Sequence, residues 1–232
     1  MEECREFEFF RGKVRFKQPK GHRLSIIEVL FVAHLKGVRK SYRVLDLGAG
    51  FGTLSILTAL KYGCQVWAVE REPLMVDLLR HNVEINSLKE KIHILELDIK
   101  NIPLLPQSFD LVIANPPFYK ASSKGNVYRH ESDTTLEDFI RAGGYLLKDG
   151  RGFNLLIASN RLVETINYML MNNLGIESIR IFYPKINKNG KIVHIYTLKN
   201  LRPNTMIEKP LIINESSGDY TTYAKVILDN FL

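Results

Sequence analysis

Along most of this chain, short apolar runs of strand length alternate with longer stretches in which apolar residues recur every three or four positions. The runs at 43–47, 65–70, 92–97, 109–114 and 152–158 predict strands, and helical periodicity predicts helices over 53–62, 73–86, 134–147 and 161–173. Two more strands are expected at 177–183 and 192–199, on either side of an Asn187-Lys188-Asn189-Gly190 turn. Upstream, residues 1–23 read as extended, and 24–35 as a partly buried helix. This order predicts an α/β fold with a mostly parallel sheet, helices on both faces and an antiparallel hairpin at the edge. The expected organisation is a basic arm and helix over 1–40, a main domain over 41–200 and a tail over 201–232 packed on that domain. Within the tail, a short strand is expected near 209–213 and a short helix near 223–228.

In open parallel sheets, ligands sit beyond the carboxyl ends of the strands. Strand 43–47 runs into Gly48-Ala49-Gly50-Phe51-Gly52, with Asp46 just ahead. Glycines allow sharp turns and close approach to a ligand, and the following helix start offers free N–H groups. The G-x-G-x-G spacing behind an acid favours S-adenosylmethionine over a dinucleotide, so Asp46, Gly48, Gly50 and Gly52 are candidate cofactor contacts. The next strand ends in Glu70, whose carboxylate suits two ribose hydroxyls. The third ends in Asp98, placed to receive the amino group of the cofactor's adenine, although Asp there is also a common turn former.

The fourth strand ends in Asn115-Pro116-Pro117-Phe118. Asn supplies a side-chain carbonyl acceptor, the prolines stiffen the segment, and the aromatic ring offers a face for a flat group. Asn115, Pro116, Pro117 and Phe118 therefore read as a catalytic clamp for a planar amine such as that of adenine, with Asn115 also beside the cofactor. Taken alone, the tetrapeptide is equally a Pro-Pro loop after a buried strand. The convergence of Gly48, Glu70, Asp98 and Asn115 on one crevice decides for the clamp.

Composition narrows the setting. With 232 residues, 45% hydrophobic and 25% charged, the chain suits a globular domain with a sizeable core. No apolar stretch approaches the ~20 residues of a membrane span, and no signal peptide is expected at the N-terminus. Two cysteines, Cys4 and Cys64, fit neither a disulfide framework nor a zinc site, so a reducing cytoplasm and no metal are expected. The formal net charge of +7 makes a polyanionic partner plausible. Lys13, Arg15 and Lys17 lie in an acid-free segment interleaved with Val14 and Phe16 and are candidate RNA contacts; the bland alternative is a solvated arm.

With these residues in view, the chain resembles class I S-adenosylmethionine-dependent methyltransferases, and among them the tRNA1(Val) adenine-N6 methyltransferase family. The resemblance spans nearly the whole chain: Lys17-Gln18 with the following helix, the glycine loop, Asn115-Pro116-Pro117-Phe118-Tyr119, Arg129-His130-Glu131, and Gly218-Asp219-Tyr220-Thr221 in the tail. It implies a Rossmann-like fold with a seven-stranded sheet, and methyl transfer to the N6 amine of an adenine in RNA, most simply tRNA. It also implies RNA contact at Arg129 and His130, although the residues alone leave open whether these touch substrate or brace their loop. Relatives more often have Tyr where this chain has Phe118. They also commonly carry an Asp near Ile27, where this chain has Glu28 one place displaced. Rival readings are a guanine-N2 RNA methyltransferase, a protein-glutamine N5 methyltransferase and a non-catalytic RNA-binding module.

Overall fold

The computed structural model describes residues 4–19, 24–117 and 134–232, together with the backbone of two short strands, β7 (Tyr119–Lys120) and β8 (His130–Glu131). Five strands form the parallel part of a central sheet: β3 (Arg43–Leu47), β4 (Gln65–Glu70), β5 (Ile92–Glu96), β6 (Phe109–Ala114) and β9 (Leu147–Ala158). Next to β9 lies β11 (Ile192–Lys199), antiparallel to it and to the outer strand β10 (Leu174–Lys185). The order is thus β10-β11-β9-β6-β3-β4-β5. Strand β6 is buried along its whole length, as a central strand covered on both faces must be.

Alternate residues feed two cores. On β6, Leu111 and Ile113 join the core on one face, and Val112 and Ala114 join the core on the other. The first core is covered by α1 (Ile26–Ala33), α2 (Thr53–Tyr62) and α3 (Pro73–Ile85); the second by α4 (Leu136–Leu146) and α5 (Leu162–Met171). Pro73 opens α3, where its missing N–H costs nothing. Ser25 and Glu28 form a reciprocal capping box that starts α1, and Thr135 and Asp138 do the same for α4.

Three expectations needed adjustment. The sheet has nine strands among the described residues rather than seven. The tail adds β12 (Met206–Ile207) and β13 (Leu211–Asn214), both parallel to β10, before α6 (Thr222–Asp229). A twelve-residue outer strand presents a long unpaired edge, and these segments cover it. Strand β9 begins at Leu147, not 152, because Phe109 pairs with Leu147 before a register shift carries β6 past the polar 148–151 stretch.

The third adjustment concerns the basic arm, which is a docked hairpin. Strands β1 (Arg5–Phe9) and β2 (Val14–Gln18) pair antiparallel, burying Val14 and Phe16. On its other edge, β2 pairs with side chains of α3. Arg15 N–H donates to Asn86 Oδ1 at 2.9 Å and Asn86 Nδ2 donates to the Arg15 carbonyl at 2.7 Å. Lys17 and Asn82 repeat the exchange at 2.7 and 3.0 Å. Asn82, wholly buried, also donates to the carbonyl of Phe51 in the glycine loop at 2.9 Å.

Candidate active site

A cavity of about 780 Å³ opens beyond the carboxyl ends of β3, β4, β5 and β6. Its floor is the glycine loop. Gly48 and Ala49 N–H groups both donate to the Val69 carbonyl at 2.9 Å, tying the loop to the neighbouring strand. Gly48 and Gly50 line the cavity and have positive φ, 71° and 56°. A Cβ on Gly50 would meet no atom within 4 Å, so the loop leaves clear space above it. Gly52 is not a lining residue. It caps α2 at φ 98°, and a Cβ there would lie 2.5 Å from Leu79 Cδ1. Close packing of helix against helix, rather than a ligand, demands this glycine.

Glu70 lines the cavity and organises its rim. One carboxylate oxygen accepts the Gly50 N–H at 2.8 Å, and the other accepts those of Arg71 and Glu72 at 2.7 and 2.9 Å. Asp46 takes a different place from the one expected. It shares the face of β3 that carries Val44 and lies fully buried under α2, accepting from Ser55 Oγ at 2.6 Å. Burial pushes its carboxyl up to about 7, only partly opposed by the Ser55 hydrogen bond. Its position is structural support beneath the loop.

Asp98 stands at the cavity's edge, beside the lining residue Arg71. It accepts from the backbone N–H of Lys100 at 2.9 Å and pairs with Arg71 at 3.2 Å, while its neighbours Leu97 and Ile99 line the cavity. The strand-end rule placed the segment at the cavity, where one Asp98 oxygen caps the local turn and the other holds Arg71.

Asn115, Pro116 and Pro117 line the opposite wall. Asn115 Oδ1 is buried with no hydrogen-bond partner among the described residues, and its Nδ2 lies 3.5 Å from Glu28 Oε1. Phe118 and Arg129 lie outside the described residues; for His130 only the backbone is described, paired in β8 with Tyr119 of β7. The cavity and the glycine loop, with the space left open over Gly50, fit a nucleoside-bearing cofactor.

A model of the methyltransferase small-domain family matches residues 24–174. The chain belongs to this family. As a methyltransferase it uses S-adenosylmethionine as methyl donor. It is 31% identical over 200 residues to the tRNA1(Val) (adenine(37)-N6)-methyltransferase of Haemophilus influenzae (strain ATCC 51907 / DSM 11121 / KW20 / Rd), covering 79% of this chain and 80% of that one. The enzyme of the same name from Cytophaga hutchinsonii is 26% identical, with 87% of each chain covered. Among solved structures, a predicted O-methyltransferase from Agrobacterium tumefaciens superposes with a TM-score of 0.72 at 23% identity, covering 88% of this chain and 95% of that one. M. jannaschii TYW2, solved with AdoMet, superposes with a TM-score of 0.60 at 19% identity over 86% and 88%. These likenesses share the fold: a class I methyltransferase sheet flanked by helices.

Several lining residues of this methyltransferase were missed from sequence. Ser159 and Asn160 follow the end of β9, where the strand-end rule would have found them. Lys191 reaches the cavity from the start of β11, a position with no local signal. Glu28 was noted from sequence only as an acid one place displaced from the Asp of relatives; the Ser25-Ile26-Ile27-Glu28 capping-box spacing is the local signal for its fixed position.

The three cations of the hairpin are differently engaged. Lys13 Nζ donates to the Leu232 carbonyl at 2.5 Å. Arg15 donates to the Ile85 carbonyl at 3.1 Å and stands 3.7 Å from Glu6. Lys17 is half-buried by its place on α3. They belong to a packed surface, not to a free arm. Among the described residues no helix is long and apolar enough to cross a membrane.

Proposed function

We propose that this methyltransferase methylates the exocyclic N6 amine of an adenine in RNA, most simply a tRNA. One observation carries the reading: Asn115 lines the cavity that the glycine loop floors, and its Oδ1 is buried without a hydrogen-bond partner among the described residues. A buried acceptor left unsatisfied is costly, and such an atom is expected where a ligand supplies the missing donor. An NH2 group carries two donors, enough for Asn115 Oδ1 and the Pro116 carbonyl together, whereas a hydroxyl carries one. The names of the Haemophilus and Cytophaga relatives supply the base and the nucleic acid.

Bound S-adenosylmethionine supplies an electrophilic methyl group on a sulfonium. The chain's contribution is placement and charge stabilisation. An adenine amine is a poor nucleophile because its lone pair is spread into the ring. Hydrogen bonds from the NH2 group to Asn115 Oδ1 and the Pro116 carbonyl draw it towards tetrahedral geometry and stabilise the positive charge that builds on nitrogen. Gly48, Gly50 and Glu70 hold the cofactor, with Leu97 and Ile99 offering apolar contacts where Asp98 was first expected. Phe118 is assigned the stacking face, and Arg129, His130, Lys13, Arg15 and Lys17 the RNA. The free thiols of Cys4 and Cys64 suit a reducing cytoplasm.

The test is incubation with labelled S-adenosylmethionine and unmodified tRNA, followed by nucleoside analysis. N6-methyladenosine is the expected product. Label recovered as N2-methylguanosine or in protein glutamine would replace this reading with one of its rivals.

A further inference from the structure

We propose that Glu28 is a positioning residue that fixes which end of the Asn115 amide faces the methyl acceptor. The inference rests on the amine-acceptor reading above. The two ends of an asparagine amide have nearly the same shape and opposite hydrogen-bonding character, so its neighbours decide which points where. Glu28 is buried at the first turn of α1, and its carboxylate only accepts. One oxygen is committed to the Ser25 N–H at 2.8 Å, which locks the rotamer. The other lies 3.5 Å from Asn115 Nδ2.

At that distance the contact is long, and its effect is a choice between two orientations rather than a tight bond. Rotating the amide by half a turn would set Asn115 Oδ1 against a carboxylate oxygen, a repulsive pair in a buried site. The NH2 group therefore faces Glu28, and Oδ1 is left over, buried and unpartnered among the described residues. An acceptor is what an incoming NH2 group needs. Helix α1, which carries no other element of the clamp, thus determines the polarity of the site on β6.

Glu28→Gln separates this role from a structural one. The Ser25 N–H still requires an oxygen, so the new amide turns its NH2 towards Asn115 and favours the reversed orientation. On unmodified tRNA, kcat is expected to fall by about 10²-fold while the KM for the methyl donor stays within about twofold. In an Asn115→Asp background the same substitution should act with opposite sign. There it replaces one of two facing carboxylates by a donor, and activity should rise by roughly tenfold over Asn115→Asp alone. A second readout needs no turnover. Protein loaded with S-adenosylhomocysteine should bind free adenosine in preference to inosine, and Glu28→Gln should shift that preference towards inosine, whose exocyclic O6 accepts where adenosine's NH2 group donates. A wild-type kcat in Glu28→Gln, or equal losses in both backgrounds with an unchanged nucleoside preference, would overturn the proposal. Wild-type protein that leaves tRNA adenines unmethylated overturns the proposed function instead, and the inosine shift alone then decides for or against Glu28.

Discussion

Glu70 holds Gly50: the carboxylate at the end of β4 accepts the loop glycine's N–H at 2.8 Å, and its other oxygen gathers the two N–H groups that follow it. One side chain thereby fixes both walls of the cofactor end of the cavity. Glu70→Gln turns a donor towards at least one of these N–H groups. Leaving such a group unsatisfied costs about 1–3 kcal/mol. Stability should drop by that order in chemical denaturation, and affinity for S-adenosylhomocysteine by at least about tenfold in calorimetry.

Gly50 and Gly52 should respond differently to the same methyl group. In Gly50→Ala the side chain enters open space at a φ of 56°, so the fold loses on the order of 1 kcal/mol while cofactor binding weakens. In Gly52→Ala the methyl meets Leu79 at a φ of 98°, and the melting temperature should fall further. Equal behaviour of the two variants in binding and melting assays would contradict the assignment of one to the ligand and one to helix packing.

Asn115→Ala should lower kcat by about 10²–10³-fold and leave cofactor binding nearly unchanged, the pattern for loss of one transition-state acceptor. Steady-state kinetics on unmodified tRNA beside calorimetry with S-adenosylhomocysteine provide the check. Full activity would remove the clamp.

Asp46 gives the fold a pH signature. Its carboxyl sits at about 7 when folded, above its ordinary value of 3.8, so the folded chain binds the extra proton between these values. Stability from this group is therefore present in acid and is lost as pH rises towards 7, at up to about 1.4 kcal/mol per pH unit. Asp46→Asn removes the slope. The stability of the variant relative to wild type should grow between pH 5 and pH 8 in denaturation titrations. Comparing the two proteins cancels the opposite slope from His194, whose burial pulls it down to about 3.

Reversing Lys13, Arg15 and Lys17 to Glu should weaken RNA binding and reduce the salt slope by about 2, given three lost phosphate contacts on single-stranded RNA. Lys13 and Arg15 also brace the tail and the end of α3, so melting curves must accompany the titrations. Lys17→Glu alone is the cleaner variant. An unchanged slope would exclude the hairpin as the RNA contact.

The central architecture was legible because β3, β4, β6 and β11 are mostly apolar segments of strand length, and their bounds were read correctly from that pattern. The same runs located the cavity, since Gly48, Glu70 and Asn115 all follow them. What a run does not encode is the direction of a side chain after the strand ends. Asp98 looks equivalent to Glu70 in sequence, yet one of its oxygens caps its own turn, and Asp46, still inside β3, faces α2. Nor does local pattern reveal partners that are distant along the chain. The tail strands on β10 and the approach of Glu28 to Asn115 are products of tertiary packing, and only the capping-box spacing hinted that Glu28 would be held still.

The hairpin strand β2 borrows its second edge from Asn82 of α3 and Asn86, the residue that caps that helix one turn later. Such a pairing has no freedom to slide, since a shift of one residue would leave all four amide contacts without a mate. Because Asn82 grips the Phe51 carbonyl as well, the span from hairpin to glycine loop is a fixed gauge. If the proposed RNA contact lies on the former, the RNA meets the cavity at one set reach, and choosing among nucleotides becomes partly a matter of length.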